Sequence, residues 1–176
     1  MDQVKAAISE VTFIDQKEQL GTGHAVLAAR ETFSGYAGDV LVMPGDVPLI
    51  EAATLEAFVR FHHEGGFCAS VLTADLENPH GYGRIVRHNA NEVSSIVEHR
   101  DATPEILKIR EINSSIYVFH APVLFESLVK IRNNNAQHEY YLTDVIGLLA
   151  GRKQKVGAFK VHSAEEVLGI NTRQEL

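Results

Sequence analysis

Short apolar runs of strand length alternate along this chain with stretches whose apolar residues recur at helical spacing. That alternation narrows the possible folds more than any single motif does. Asp39–Met43, Phe67–Thr73, Ile116–Phe119 and Val156–Val161 read as strands, rich in β-branched, aromatic and small apolar side chains. Glu51–His63 places Leu55, Phe58, Val59 and His62 at helical spacing and meets Gly65-Gly66, a stop signal. Ala121–Ile131 and Glu139–Ala150 read as amphipathic helices. Strands alternating with helices predict an α/β fold with a mostly parallel sheet. Asp39–Met43, apolar almost throughout, reads as a strand buried on both faces. A helix end over Met1–Glu10, a short strand over Val11–Ile14 and a small-residue helix over His24–Arg30 with Thr22 as its N-cap are also expected. So are a polar hairpin of Arg84–Arg87 with Glu92–Val97 and a last helix opening at Asn171. No repeat or linker divides the chain, so residues 1–176 are expected to form one domain.

Charge and cysteine content remove several functional classes. Sixteen Lys and Arg against 23 Asp and Glu give a formal charge of −7, the wrong sign for a general nucleic-acid binder. The lone Cys68 precludes an intrachain disulfide framework and fits a reducing compartment. The apolar runs are too short to span a bilayer, and Met1-Asp2-Gln3-Val4-Lys5 does not begin a signal peptide. The expectation is a cytoplasmic protein without nucleic-acid or membrane partners.

In α/β sheets, ligands bind beyond the carboxyl ends of the strands, which directs attention to Pro44-Gly45-Asp46, Gly81-Tyr82-Gly83 and Asn113-Ser114. Asp46, just after a buried strand and a glycine, suits a hard cation such as Mg²⁺; it reads equally as an Asx turn or a cap. Gly21-Thr22-Gly23 precedes a helix and offers backbone N–H groups to an anion or a nucleobase, or is a simple capped turn. It lacks the Lys-Ser or Lys-Thr of a Walker A loop. Gly81-Tyr82-Gly83-Arg84 is either a turn into the hairpin or a place where a ligand approaches the backbone. The nine histidines lack metal-site spacing, Cys68 reads as a small core residue, and Asn133-Asn134-Asn135 as a loop.

Taken in order, the motifs are far more specific. Glu18-Gln19-Leu20-Gly21-Thr22-Gly23-His24-Ala25, Gly45-Asp46-Val47-Pro48-Leu49 and Gly81-Tyr82-Gly83-Arg84-Ile85 come first. Ile96 to Ala102, Glu111-Ile112-Asn113-Ser114, Asn133 to Gln137, Glu139 to Asp144 and Gly169-Ile170-Asn171 follow. The series resembles the uridylyltransferase half of the bacterial bifunctional N-acetylglucosamine-1-phosphate uridylyltransferase/glucosamine-1-phosphate acetyltransferases, from Gln16 onward. The resemblance implies a partial Rossmann-like nucleotidyltransferase fold with a mostly parallel sheet and a small antiparallel hairpin insertion. It implies uridylyl transfer from UTP to N-acetylglucosamine 1-phosphate, giving UDP-N-acetylglucosamine and pyrophosphate, with Mg²⁺ as cofactor. The product would feed peptidoglycan and lipopolysaccharide synthesis. By position, Gln16, Gly21 and Thr22 match uracil contacts, and Gly45 and Asp46 match the ribose and phosphate segment. Gly83, Glu98 and Asn113 match contacts to the sugar, and Asp46 and Asn171 match the Mg²⁺ ligands. No protein nucleophile is required, so no catalytic residue is assigned; positioning and electrostatics carry the reaction.

The chain departs from the family pattern. The opening loop of the form Leu-Ala-Ala-Gly-x-Gly-Thr-Arg-Met and a later Pro-Lys are absent, which implies that about two β-α units are missing, along with the acetyltransferase part. Pro44 and Ser115 stand where some relatives have an aromatic residue and a glycine. The expected consequences are open sheet edges, self-association through them, and little turnover by this chain alone. Two alternatives follow: another sugar-phosphate nucleotidylyltransferase, or a non-catalytic sugar-nucleotide-binding module. A separate polypeptide that supplies the missing units is a further possibility.

Overall fold

The computed structural model describes Ile8, residues 10–90 and residues 92–170. Six strands form one sheet: β1 (Asp39–Val42), β2 (Ala69–Asp75), β3 (Arg84–Arg87), β4 (Val93–Val97), β5 (Glu111–His120) and β6 (Val156–Lys160). The α-helices among the described residues are α1 (Thr22–Leu27), α2 (Ala52–Gly65), α3 (Pro104–Leu107), α4 (Ala121–Leu128) and α5 (Thr143–Gly151).

Strand β5 is the axis of the sheet. It pairs antiparallel with β2 along one edge and with both β1 and β3 along the other. β6 lies parallel to β2, and β4 closes the β3 hairpin. Four strands (β1, β2, β3 and β6) therefore point one way, and β4 and β5 run against them. The expected mostly parallel sheet holds in strand direction, although β2–β6 is the one parallel ladder among the described strands.

The side-chain alternation of the strands divides the core between the two faces. Val71, Ile85, Ile96, Tyr117 and Phe119 face α4 and α5, where Leu124, Val145, Ile146 and Leu149 meet them. Leu72, Ile112, Ile116 and Val118 pack on the other side with Phe58 of α2 and Val167. Helix α2 ends as its sequence predicts. Gly66 takes the left-handed conformation at φ 58; its N–H donates to the carbonyl of His63, and the Phe67 N–H donates to that of His62.

Several expectations are corrected. β1 is not buried on both faces: it is an edge strand of mixed burial, with Leu41 39 % exposed. Its apolar run satisfies either position, and only the absence of a second neighbouring strand among the described residues decides. Val11–Ile14 forms no strand, and Val11, Phe13 and Ile14 are exposed. A β-branched run becomes a strand only where a neighbour supplies a ladder. Thr22 does not cap α1; Gly21 holds that position, and the Thr22 hydroxyl accepts from the N–H of Leu142 at 3.0 Å. Helix α5 starts at Thr143 rather than Glu139, because the backbone of Tyr140 is committed to Leu20 and Gly23. α1 and α4 also stop short of Arg30 and Ile131. The helices expected at Met1–Glu10 and Asn171 lie almost wholly and wholly, respectively, outside the described residues.

The strand read at Ile116–Phe119 is only the second half of β5. Asn113 and Ser114, expected in a loop, lie inside this strand at an irregularity. Val71 pairs with Tyr117 but Thr73 pairs with Asn113, so β5 takes four steps where β2 takes two. Ser115 sits at φ 63 in the excursion. The Ser114 hydroxyl donates to the carbonyl of Leu72 at 2.7 Å and accepts from the N–H of Ile116 at 3.2 Å. Asn113 Oδ1 accepts from the N–H of Ser115 at 3.0 Å. Such bulges bend a strand and re-aim its side chains.

Candidate functional site

Gln16, Gly21 and Thr22 come together in one group. Gln16 Nε2 donates to the Gly21 carbonyl at 3.2 Å and lies 3.0 Å from His24 Nδ1. Gly21 adopts φ 107 and presses so closely on the 139–140 backbone that a Cβ would lie 2.7 Å from the Tyr140 oxygen. Tyr140 N–H donates to Leu20 at 2.8 Å, and Gly23 N–H donates to Tyr140 at 2.7 Å. The Thr22 hydroxyl, already an acceptor for Leu142, keeps its proton for a ligand.

The next residue along that backbone, Thr143, leads to the second group. Its hydroxyl donates to Glu98 Oε1 at 3.1 Å. Gly83 lies against the same carboxylate: a Cβ there would be 3.3 Å from Glu98 Oε2 and 3.5 Å from Asn113 Cβ. The N–H of Asn113 donates to the Gly83 carbonyl at 2.9 Å. Burial pushes the Glu98 carboxyl above its ordinary range; the Thr143 bond opposes this, and the charges of Asp101 and Asp144 add to it. Asp144 is raised as well, first by burial and then by Asp101. Tyr141 is pushed up to about 12 by burial and then by the charges of Asp101, Glu98 and Glu139. Thr143 and Tyr141 escaped the sequence reading as individual residues, although the Glu139–Asp144 run that holds them was the available signal.

The third group lines an open cavity of about 570 Å³. Asp46, Tyr82, Asn113, Ser115 and Gly169 are among its walls. The Asp46 carboxylate is exposed and makes no hydrogen bond among the described residues, so neither the Asx-turn nor the capping alternative is realised. The N–H of Ile170 donates to the Asp46 carbonyl at 2.8 Å, which brings the stretch ending at Ile170 against this wall. A Cβ on Gly45 would meet nothing within 4 Å. Asn171, the other expected Mg²⁺ ligand, lies outside the described residues.

The described residues fit a hard divalent cation. No group of three or more His, Cys, Asp or Glu converges on an ion among the described residues. An unengaged carboxylate beside an open cavity suits a cation that takes one or two protein oxygens and completes its shell with water and phosphate. The described cavity lining includes no lysine or arginine.

The remaining motifs have structural roles. Asn135 Oδ1 accepts from the N–H groups of Gln137 and Glu139 and shapes the loop before α5. Cys68 is half-buried beside Lys155, and burial raises its thiol, as befits an inert residue. His62 is buried against the Ser70 hydroxyl at 2.8 Å, while His63 and His120 bracket Asp39 at 2.9 and 3.2 Å. No helix among the described residues is long and apolar enough to cross a membrane.

Comparison with known proteins fits this arrangement. Residues 2–164 match the family model described as nucleotidyl transferase. The chain is 47% identical over 174 residues to the bifunctional protein GlmU of Clostridium tetani, covering 99% of this chain and 38% of that protein. It is 49% identical over 161 residues to the bifunctional protein GlmU of Listeria innocua, covering 92% and 35%. The chain thus spans under half the length of these curated relatives. In fold it is similar to a UDP-glucose pyrophosphorylase complexed with UDP-glucose, at TM-score 0.65 and 18% identity over 94% of this chain and 67% of that one. A second likeness, to an apo UDP-glucose pyrophosphorylase, has the same TM-score and identity over 85% and 55%.

Proposed function

Because the chain belongs to the nucleotidyl transferase family, we propose that it carries the site for uridylyl transfer from UTP to N-acetylglucosamine 1-phosphate. An oxygen of the sugar phosphate bonds to the α-phosphorus of UTP, the bond from that phosphorus to the bridging oxygen of the β-phosphate breaks, and pyrophosphate leaves. One observation carries the reading: the three groups form an unbroken series of contacts. Thr22 holds Leu142, Thr143 holds Glu98, Gly83 lies between Glu98 and Asn113, and Asn113 shares a cavity with Asp46.

Electrostatics orient the substrates within that series. Glu98, Asp101 and Asp144 bring three carboxyl groups to one end; burial raises Glu98 and Asp144, and the neighbouring carboxylates add to the rise. Phosphates are repelled there, whereas sugar hydroxyls donate to Glu98 and exchange hydrogen bonds with Asn113. The phosphates therefore lie toward Asp46, with the uracil against Gln16, Gly21 and Thr22. Mg²⁺, when held by Asp46 and Asn171, would supply charge neutralisation between the two anionic reactants. The chain's own residues bind, orient and align the sugar-phosphate oxygen with the α-phosphorus. The described cavity lining holds no lysine or arginine, and a transferring phosphoryl group without such a donor reacts about 10²–10³ more slowly, so turnover by this chain is slow. The setting is the cytoplasm, and the product serves peptidoglycan and lipopolysaccharide synthesis. Residues 1–176 act as one nucleotidyltransferase domain.

The test combines calorimetry with UDP-N-acetylglucosamine and a pyrophosphate-release assay with UTP, N-acetylglucosamine 1-phosphate and Mg²⁺. Binding with slow turnover is expected, and neither binding nor turnover would remove the reading. Faster reaction with glucose 1-phosphate would instead establish another sugar-phosphate nucleotidylyltransferase. Binding with no turnover at all would favour the non-catalytic module, which the lining without lysine or arginine supports.

A further inference from the structure

We propose that Arg84 is a positioning residue that fixes the Gly81–Gly83 wall of the cavity and thereby sets affinity for the sugar part of the ligand. The inference rests on the uridylyl-transfer reading above and deepens it. Arg84 opens β3, where it pairs with Val97 on one side and Ile112 on the other. It is 2 % exposed and among the largest fully buried side chains of the protein. An arginine remains protonated even when buried, and a buried charge is ordinarily paired.

Arg84 has no carboxylate in ion-pair range among the described residues. Its guanidinium is instead spent on a backbone carbonyl: Nη1 donates to Tyr82, two residues back, while Nε is buried without a partner. Such an arrangement is a poor way to stabilise a core, because an apolar side chain of similar length would fill the space without the desolvation cost. What the guanidinium does provide is a grip on the Tyr82–Gly83 peptide.

That peptide has two consequences for the site. Gly81 stands at φ 87, and the Tyr82 N–H closes a turn onto Pro79 at 3.2 Å. Gly83, on the other side, presents its Cα to Glu98 and Asn113, and its carbonyl accepts from the Asn113 N–H. A rotation of the Tyr82–Gly83 unit would move both the cavity wall and the backbone that aligns Asn113. The preceding residue is braced separately. The ring of His80, a cavity residue, meets the ring of His99 edge-on at 4.5 Å between centroids, and His99 Nδ1 is buried without a partner. The uracil group at Gln16, Gly21 and Thr22 has no described hydrogen bond to any of these residues.

The two ends of the ligand therefore separate in the test. The full chain is compared with Arg84→Met and Arg84→Lys by calorimetry against UDP-N-acetylglucosamine and against UTP with Mg²⁺, and by thermal unfolding. Arg84→Met is expected to weaken UDP-N-acetylglucosamine at least tenfold, keep UTP within twofold, and leave Tm unchanged or raised. Arg84→Lys, which keeps a donor, is expected to recover part of the loss. Amide NMR resonances of Tyr82 and Gly83 should move in Arg84→Met, while those of Gly21 and Thr22 stay in place. Unchanged sugar-nucleotide affinity, an equal loss for both ligands, a lowered Tm or unmoved Tyr82 and Gly83 amides would each overturn the proposal. If the unsubstituted chain binds neither ligand, the uridylyl-transfer reading itself falls, and this inference with it; the wild-type titration distinguishes that case from the others.

Discussion

Gly45→Ala separates binding from stability more cleanly than any other single change in the site. The added Cβ has no atom of the protein within 4 Å, and Gly45 is not among the glycines with positive φ. Alanine is thus free of both clash and backbone strain, and it narrows the conformations open to the unfolded chain. Such substitutions stabilise by about 0.4–1 kcal/mol, or roughly 1–4 °C in Tm for a domain of this size. If the nucleotide packs against this backbone, the methyl group intrudes on the complex instead. Overpacking of a fitted contact costs about 1–3 kcal/mol, which corresponds to roughly 5- to 150-fold in Kd. Calorimetry with UTP and Mg²⁺, alongside a thermal melt, reads both quantities. A Gly45→Ala protein that melts at or above the wild-type temperature and binds UTP within twofold of it would refute the placement of the nucleotide against Gly45. Gly21→Ala is the contrasting case. At φ 107 its Cβ would stand 2.7 Å from the Tyr140 oxygen and 2.9 Å from the Tyr140 nitrogen, so strain of about 1–3 kcal/mol and a backbone clash should lower Tm together with affinity.

Glu98→Gln removes a carboxylate that burial disfavours, so Tm at neutral pH is expected to rise. The loss of a charged acceptor, worth about 1.5–3 kcal/mol, should weaken UDP-N-acetylglucosamine by at least tenfold; unchanged affinity would place the sugar elsewhere. Because the folded-state value of Glu98 lies above its ordinary one, sugar-nucleotide affinity should begin to fall with decreasing pH before ordinary carboxylates protonate, and the pH dependence of Kd measures this. His62 behaves oppositely: burial lowers it from 6.5. The unfolded state takes up the proton first, so this group's stabilising contribution is present above pH 6.5 and is lost as pH falls from there through the lower folded-state value. His62→Gln should flatten that part of the Tm–pH profile, and an unchanged slope would exclude His62 as its source. Asp46→Ala should abolish Mg²⁺-dependent tightening of UTP while leaving Tm within a few degrees, since the carboxylate makes no hydrogen bond among the described residues; retained Mg²⁺ dependence would count against it as a ligand.

Local patterns were legible where they involve neighbours in sequence. The span and glycine stop of α2, the hairpin of β3 and β4, and the grouping of Gly21 with Thr22 all follow from nearby residues. What the sequence hides is whatever depends on a distant partner. Thr22 looks like a helix cap until Leu142 claims its hydroxyl. Glu139–Leu142 looks helical until Leu20 and Gly23 draw the Tyr140 backbone away. Val11–Ile14 and Asp39–Met43 carry the same β-branched signal, yet only the second finds a ladder. Asn113 was identified through its motif, but the excursion of β5 that aims it was not, because two adjacent serines give no periodic signal of a bulge. Ser115 stands there at φ 63, a left-handed conformation that glycine adopts more readily than serine.

The two walls of the cavity are anchored unequally. Asn113 projects from β5, which is laced to neighbours along both edges, whereas Asp46 follows β1, which among the described residues is laced along one. One wall is in effect a fixed jaw and the other a compliant one. Elements with fewer backbone bonds open at lower free energy, so amides of β1 should exchange with deuterium faster than those of β5 in the free protein. A ligand that spans the gap would then be felt chiefly as slowed exchange in β1, several residues away from any atom it touches.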